Sequence, residues 1–451
     1  MYYYLVPSHT TPGKKSVKIE IQPADNVSEY RLQLEDEQNT TWIAGNCFEI
    51  TKNGNYHVEI KGIDQQVEQR SFTISFLGKR PAFDGGAGTQ EDPFQISTLE
   101  QLNAIRLKLS GHYILTADID LAQWGLVWIP IGKYVVGGED LVRNRTFTGA
   151  IDGAGHRLSG LCCGPVWTSI EERMGFEPDD QVIATGFIGC SIGSIFRNLY
   201  LEKCQVSGFY GVGCLAGEAQ NCRFENCHAS GAVDGVYIAG LCSGQECHLK
   251  KCSFNGELSA ESDAHGLCCD AITIYNCEVN AKISGTSAYG ICAALDSKIQ
   301  WCIVRGCISG RSDMGGICLS AGLNAKVYEC ICALEQVHIL ENEAQTEYAW
   351  NNDVKRFSAI DAAGERFYDE PELREYWNTK YRNHFRRENI KFIGKKTAPD
   401  LDTADGQPIT DEQLHDRAFL ESVGWNFDGC WYMDEDGPHL KKGVCSNKHA
   451  R

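Results

Sequence analysis

The chain has 451 residues, with 42 Lys and Arg against 60 Asp and Glu, and a formal net charge of -18 at pH 7. This acidity predicts no nucleic-acid partner, because phosphate binding requires a basic surface. With 43% hydrophobic and 23% charged residues, the composition is typical of a folded globular or repeat protein. No segment approaches the roughly 18 consecutive apolar residues of a bilayer-spanning helix, so we expect no membrane span.

Residues 1–80 alternate apolar and polar side chains in short runs. The runs cover 17–21, 30–34, 56–60 and 72–76, with turn residues between them. Alternation with a period of two is typical of half-buried strands. We therefore predict a small antiparallel β-sandwich over residues 1–80, and we expect it to fold as an independent module.

Residues 81–110 combine a glycine-rich turn with the start of a helix. The tetrapeptide Ser97-Thr98-Leu99-Glu100 fits a capping box in which Ser97 caps the helix and Glu100 reaches back. Apolar residues at helical spacing follow it, at Leu99, Leu102 and Ile105. We predict a linker followed by a short helix that covers the open end of the repeat body.

An internal repeat with a period of about 25 residues dominates the segment 111–334. One column of the repeat consists of Gly213, Gly240, Gly266, Gly290 and Gly316. A second column with a similar step consists of Cys204, Cys227, Cys252, Cys277, Cys302 and Cys330. Each unit contains three short alternating stretches. This pattern predicts an all-β protein, a single-stranded right-handed parallel β-helix of about seven coils.

Many of the 22 cysteines lie at equivalent positions of the repeat. A further column, just after the aligned glycines, consists of Cys242, Cys268, Cys292 and Cys318. Because equivalent positions stack in successive coils, we predict inward-facing ladders of free thiols, which pack as small hydrophobic groups. The alternatives are strained disulfides between adjacent coils and a zinc site. No set of cysteine pairs with zinc-finger spacing converges, so we expect no metal and no cofactor.

The repeats resemble a known family. Gly240-Leu241-Cys242-Ser243-Gly244, the segment 147–161, and Gly424-Trp425-Asn426-Phe427-Asp428 are similar to GLUG-motif repeats. These repeats occur in β-helical surface proteins of gut bacteria, and the similarity covers roughly residues 83–440. The second glycine of the motif, present at Gly217 and Gly244, is replaced by Asp270, Ala294 and Ser320 in later coils.

The N-terminal segment resembles the immunoglobulin-like modules of bacterial surface and phage structural proteins. Both resemblances imply a location at an extracellular surface or on a virion or other particle, with the cytoplasm as the alternative. Residues 1–7 have neither a basic leader nor a sustained apolar stretch, so they do not predict a signal peptide. Because residues 1–80 have their own strand pattern, a glycine-rich boundary at 85–88 and no catalytic set, we also predict that this module docks to a larger assembly while the repeat body meets the external partner.

Residues 335–451 leave the repeat, and we predict a C-terminal cap with short helices over 372–387 and after Thr410. The box Thr410-Asp411-Glu412-Gln413 opens the second helix. Trp425 and Trp431 form either a carbohydrate platform or part of the seal on the last coil. The insertions 132–146 and 165–185 are candidate binding loops, and the second contains the acidic pair Asp179 and Asp180.

No catalytic motif is recognisable in the sequence. The carboxylate pattern of polygalacturonases is not met, and none of the 12 histidines forms an H-E-x-x-H motif. We therefore predict no catalytic residues and a non-enzymatic scaffold that binds a glycan or a host or cell-surface protein. The alternative is a polysaccharide-degrading enzyme, a lyase or glycoside hydrolase, with an unfamiliar pair of carboxylates.

Overall fold

The structure is a computed structural model and describes residues 3–35, 41–133, 145–164, 184–294, 297–312, 314–320, 325–340, 357–358, 381–382, 384–393 and 406–443. Most of these residues lie in strands, and the body is a β-solenoid of about six turns, one fewer than the repeats predict. Asp179 and Asp180 lie outside the described residues.

The N-terminal region forms two small antiparallel sheets, as the alternating runs predict. The three-stranded sheet contains Tyr4–Pro7, Val17–Gln22 and Cys47–Ile50. The four-stranded sheet contains Ile43–Ala44, Val27–Leu34, Gly54–Gly62 and Val67–Ile74, in that order, and a 3-10 turn spans Ala24–Asn26. Alternate side chains such as Ile19, Val58 and Ile60 are completely buried.

These sheets pack against the first coil of the solenoid. The ring centroids of Phe76 and Trp124 are 5.3 Å apart. The backbone N–H of Val127 donates to the carbonyl of Leu5 at 2.9 Å. The two regions therefore share buried surface, and the independent folding of residues 1–80 stays a prediction.

The first helix, α1, spans Leu99–Ala104, and a 3-10 turn continues it over Ile105–Leu107. Its capping box is displaced by one residue from the prediction: Thr98 is the cap, and its partner is Gln101. The prediction of Ser97 and Glu100 was wrong because both side chains have other partners. Ser97 donates to a carboxylate oxygen of Asp84, and Glu100 accepts from the hydroxyl of Ser75 at 2.7 Å.

Parallel sheets build three faces of the solenoid, and about six central coils contribute to all three, while further strands extend the first two faces at both ends. The first sheet contains, in order, Phe94–Ile96, His112–Leu115, Ala150–Asp152, Ile195–Arg197, Arg223–Glu225, Cys247–Lys250, Ala271–Tyr275, Lys298–Gln300, Lys326–Tyr328 and Tyr381–Arg382.

The second sheet is the longest face of the solenoid. Its main path contains, in order, Ile119–Asp120, Arg157–Ser159, Tyr200–Gly208, His228–Ala239, Ser253–His265, Glu278–Ser284, Ile303–Gly310, Ile331–Ile339, Phe385–Arg387 and Gln407–Ile409. Strands beside this path are Cys162–Cys163, Ser287–Tyr289, Met314–Gly315, Phe357–Ser358 and Lys391–Ile393.

The third face is made of two shorter sheets. They contain Ile188–Ile192, Ala216–Gln220 and Cys242–Gln245, and then Cys292–Ala294 and Cys318–Ser320. A bridge between Cys242 and Cys268 continues this face between them, and a 3-10 turn over Leu121–Trp124 belongs to the first coil. Parallel pairing thus starts before residue 111 and continues past residue 334.

The interior of the solenoid consists of stacked apolar columns. Phe147, Phe196 and Phe224 stack with ring centroids 5.7 and 5.2 Å apart. The cysteine columns are buried as predicted, and all their members are free thiols: Cys204, Cys227, Cys242, Cys252, Cys268, Cys277, Cys292, Cys302, Cys318 and Cys330. Burial raises the pKa of thiols such as Cys242 and Cys277 well above the ordinary value.

A left-handed residue sets the bend between the first and second sheets. Residues two positions before successive strands of the second sheet have φ between 48° and 55°, and they are Asn198, Asn226, Lys251, Asn276, Trp301 and Glu329. Asparagine tolerates this conformation better than other non-glycine residues. Asn226 also donates to the side-chain oxygen of Asn198 at 2.9 Å, so the bend is linked from coil to coil.

The C-terminal segment lies along the flank of the solenoid. It contains helices α2 (Asp411–Leu414) and α3 (Arg417–Ser422) and a hairpin of Trp431–Asp434 and Gly437–Leu440. The predicted capping box of Thr410 and Gln413 is confirmed. The predicted helix over 372–387 is wrong where the structure describes it, since Tyr381–Arg382 and Phe385–Arg387 are strands; its other residues, apart from His384, lie outside the described residues. Within the described residues, no helix is long and apolar enough to cross a membrane.

Candidate binding surface

An exposed group of aromatic side chains lies at one corner of the solenoid. Phe209 and Tyr210 follow the strand Tyr200–Gly208, where the chain turns from the second sheet towards the third. Tyr237 lies near the end of the next strand of that sheet, His228–Ala239. We call Phe209, Tyr210 and Tyr237 the aromatic corner.

The three rings have a fixed mutual geometry. Tyr210 and Tyr237 are stacked, with centroids 5.0 Å apart and an interplanar angle of 14°. Phe209 meets Tyr210 edge-on at 4.3 Å and 86°. Tyr210 is 46% exposed, and the other two rings are partly exposed. The corner therefore presents aromatic surface to solvent, and the contacts among the three rings hold that surface in place.

The parallel ladder holds these rings in place. Ser207 pairs with Asp234 and Gly208 pairs with Gly235 in adjacent coils. The N–H of Tyr237 donates to the carbonyl of Phe209 at 3.2 Å. Because backbone hydrogen bonds fix the separation of the coils, the two tyrosines are positioned before any ligand arrives.

Polar groups surround the corner. In register, Tyr237 is followed on the next coil by Asp263, and Asp263 by Ser287. Beside Tyr210, Gly211 has φ of +61°, and a Cβ added there would lie 3.0 Å from Oε2 of Glu218. Burial raises the pKa of the Glu218 carboxyl above its ordinary value. The corner thus combines aromatic faces with carboxylate and hydroxyl groups.

The insertion that contains Asp179 and Asp180 rejoins the described chain beside this corner. The N–H of Thr185 donates to the carbonyl of Gly211 at 2.8 Å. The described chain therefore resumes beside the aromatic corner, and the acidic pair lies outside the described residues.

The structure places Trp425 and Trp431 inside the contact between the C-terminal segment and the flank. Trp425 is 3% exposed and Trp431 is fully buried. Their indole N–H groups donate to the carbonyl of Glu329 and to Oδ1 of Asn276, each at 3.1 Å. The aromatic tail therefore packs on the solenoid, and neither indole offers a face to a ligand.

The aromatic corner could have been found from the spacing of its tyrosines in the sequence, although no recognisable motif contains them. The step from Tyr210 to Tyr237 equals the step from Gly213 to Gly240 in the glycine column. Each tyrosine thus lies at the same offset before an aligned glycine. That spacing alone places both side chains at the same position of adjacent coils.

The fold and the corner define a parallel β-solenoid with an exposed aromatic surface. No family profile matches the chain. The chain is 30% identical over 161 residues to halomucin of Haloquadratum walsbyi, which is 33% of this chain and 2% of that protein. It is 38% identical over 85 residues to a protein of Evansella cellulosilytica named as a Gly-rich membrane protein, which is 18% of this chain and 9% of that protein. The chain therefore spans only a small fraction of the length of these relatives.

Proposed function

We propose that this protein is a non-enzymatic binding scaffold, located at a cell surface or on a particle such as a virion, that recognises a glycan through the aromatic corner. The main support is the stacked pair of Tyr210 and Tyr237, whose ring centroids are 5.0 Å apart and which are accessible to solvent. Tyrosine supplies a large and rigid contact surface at low entropic cost. Its face suits the C–H face of a sugar ring, and Asp234 and Asp263 can accept hydrogen bonds from sugar hydroxyls.

The handedness of the coils and the family resemblances are part of the same proposal. The coils wind in the right-handed sense, as parallel strand crossovers almost always do. The resemblance of the repeats to GLUG motifs, and of residues 1–80 to immunoglobulin-like modules, supports a relation to bacterial surface or phage structural proteins. A relative that is named as a membrane protein supports a location at a surface.

The N-terminal module docks to the larger assembly in this proposal. Three large apolar side chains support this role, because Ile43, Ile63 and Val67 are all exposed on its four-stranded sheet and the adjoining turn. Ile43 and Val67 lie in the two edge strands of that sheet, and large exposed apolar side chains at such positions are candidates for contact with a partner. The glycan then binds at the aromatic corner, on a different region of the chain.

The test is a glycan array with the full-length protein, followed by calorimetry with the strongest hit. Tyr210→Ala and Tyr237→Ala should each weaken binding by at least about tenfold, the loss of about 1.4 kcal/mol. Tyr432→Ala is the matched control, because Tyr432 is 44% exposed and belongs to the C-terminal hairpin and not to the aromatic corner. The proposal would be refuted if all three variants bound the glycan as tightly as the parent protein. It would also be refuted if the array gave no glycan hit and the protein bound a protein partner instead.

The alternative of a polysaccharide-degrading enzyme is favoured by one observation, the raised pKa of Glu218 beside the corner. A carboxyl whose pKa is raised by burial is better suited to act as a general acid than one with the ordinary pKa. This alternative predicts new reducing ends when the protein is incubated with the bound glycan. It also predicts that Glu218→Gln abolishes their release without weakening binding, whereas the scaffold proposal predicts no release from either protein.

A further inference from the structure

The turn of the C-terminal hairpin brings together two carboxylates and an imidazole, away from the aromatic corner. The ligand atoms of Asp434, Asp436 and His439 all lie within 4.8 Å of one another. Asp434 ends the first strand of the hairpin, and His439 lies in the second. Asp434 Oδ1 also accepts from the backbone N–H of Asp436 at 2.9 Å, so the turn holds the two acidic residues in a defined geometry.

A second observation concerns the orientation of the His439 ring. Its Nδ1 lies 2.8 Å from Oε1 of Glu278, and the same oxygen accepts from Arg305 at 2.9 Å. Glu278 and Arg305 are both buried. Because an ionised carboxylate only accepts hydrogen bonds, Nδ1 carries the hydrogen, and a neutral ring keeps its lone pair on Nε2.

The Nε2 atom of His439 lies beside the carboxylates of the two aspartates. It is buried, has no hydrogen-bond partner among the described residues, and lies 3.2 Å from Oδ1 of Asp434. In a neutral ring this arrangement brings the lone pair of Nε2 close to a negatively charged oxygen. A cation between the two atoms would convert that repulsion into two ligand bonds. A histidine whose other nitrogen donates to a carboxylate is also the usual arrangement around a protein-bound metal.

We propose that Asp434, Asp436 and His439 bind one divalent cation of the first transition row, with water completing the coordination. The imidazole selects against Ca²⁺ and Mg²⁺, which prefer sites made of oxygen alone. Glu278 is a positioning residue, because it orients the ring through Nδ1 and does not contact the cation. The cation ties the turn of the hairpin to the flank of the solenoid through His439.

The test uses the full-length protein and Mn²⁺, which binds carboxylate and imidazole and has little affinity for the many thiols of this chain. Free Mn²⁺ is followed by its electron paramagnetic resonance signal. The parent protein should remove one equivalent of the signal, and excess Ca²⁺ should not restore it. Asp436→Asn should weaken Mn²⁺ binding by about tenfold or more. Because the Asp436 side chain is exposed, this variant should fold as the parent does.

Glu435→Gln is the matched control, since it removes one negative charge from the same turn without removing a ligand. It should bind Mn²⁺ within about twofold of the parent protein, as expected for a screened surface charge. Equal losses in Asp436→Asn and Glu435→Gln would mean that Mn²⁺ senses only the acidity of the turn, and the proposal would be overturned. It would also be overturned if the parent protein removed no Mn²⁺ signal, which would identify His439 as a protonated ring between two carboxylates.

Discussion

Cys277 and Glu278 are adjacent in the sequence and lie in two different kinds of interior. Cys277 faces the axis of the solenoid and stacks between Cys252 and Cys302, within a column of thiols. Glu278 faces outwards but is buried as well, because the C-terminal hairpin covers it. The first environment tolerates only apolar groups, whereas the second is polar and satisfied by specific partners. Burial alone therefore does not decide which residue type a position accepts.

The largest effect is expected from a charge in the column of thiols. Cys277→Asp places a carboxylate where no cation or water can compensate it, so the free energy of unfolding should fall by more than about 4 kcal/mol. The expected result is a protein that does not accumulate in soluble form, or one that unfolds at much lower urea concentration. Cys277→Ala is the control and should cost about 1–2 kcal/mol. Equal tolerance of both substitutions would mean that the column faces water.

A smaller effect is expected on the flank. Glu278→Ala leaves Arg305 buried without its carboxylate, and removing one partner of a buried pair costs about 3–5 kcal/mol. The loss should appear in the contact with the hairpin, as faster hydrogen exchange over residues 431–440. Glu257→Ala is the matched control on the same sheet, because its ion pair with Lys282 is largely exposed and should be worth at most about 1 kcal/mol. Equal exchange rates in the two variants would show that Glu278 does not hold the hairpin.

Acidification should weaken the contact at Glu278 without any mutation. Burial by itself would raise the pKa of Glu278, but His439 and Arg305 hold it below the ordinary value of 4.5. A lowered pKa stabilises the folded state fully above pH 4.5, and this contribution is lost as the pH falls through the folded value. The protection of the hairpin amides against hydrogen exchange, corrected for the intrinsic exchange rate at each pH, should therefore fall below pH 4.5, and Glu278→Gln should flatten this dependence. This expectation would be contradicted if the hairpin lost its protection well above pH 4.5, or if the parent protein and Glu278→Gln showed the same dependence of protection on pH.

The smallest effect concerns the reactivity of the thiols in the folded protein. Most of the 22 cysteines should react with a thiol reagent after denaturation without reductant. In the native state the partly exposed thiols Cys47, Cys162, Cys269, Cys307 and Cys430 should react before any member of the columns. Burial raises the pKa of Cys162 to about 11, which should make it slow within this group. Recovery of many disulfides, or rapid modification of Cys277, would contradict the column of buried thiols.

Much of the solenoid could be predicted because its contacts repeat. The columns of glycine and cysteine, with a period of about 25 residues, are enough to predict stacked coils and inward thiols. The alternation within the N-terminal module predicts its strands for a similar reason, since a period of two is a local property of the chain. The spacing of Tyr210 and Tyr237 was equally regular, so the aromatic corner could also have been derived from the sequence.

Only the tertiary structure decided what covers the outer surface. Trp431 donates to Asn276 across 155 residues, and Leu440 binds Glu278 across 162, distances along the chain that no periodic pattern encodes. The same holds for the capping box of α1, where Asp84 and Ser75 engage Ser97 and Glu100 and leave the cap to Thr98. Repetition along the chain determines which residues stack inside the coils, because each coil meets a copy of itself. The flank has no such copy, so its partners depend on how distant segments pack.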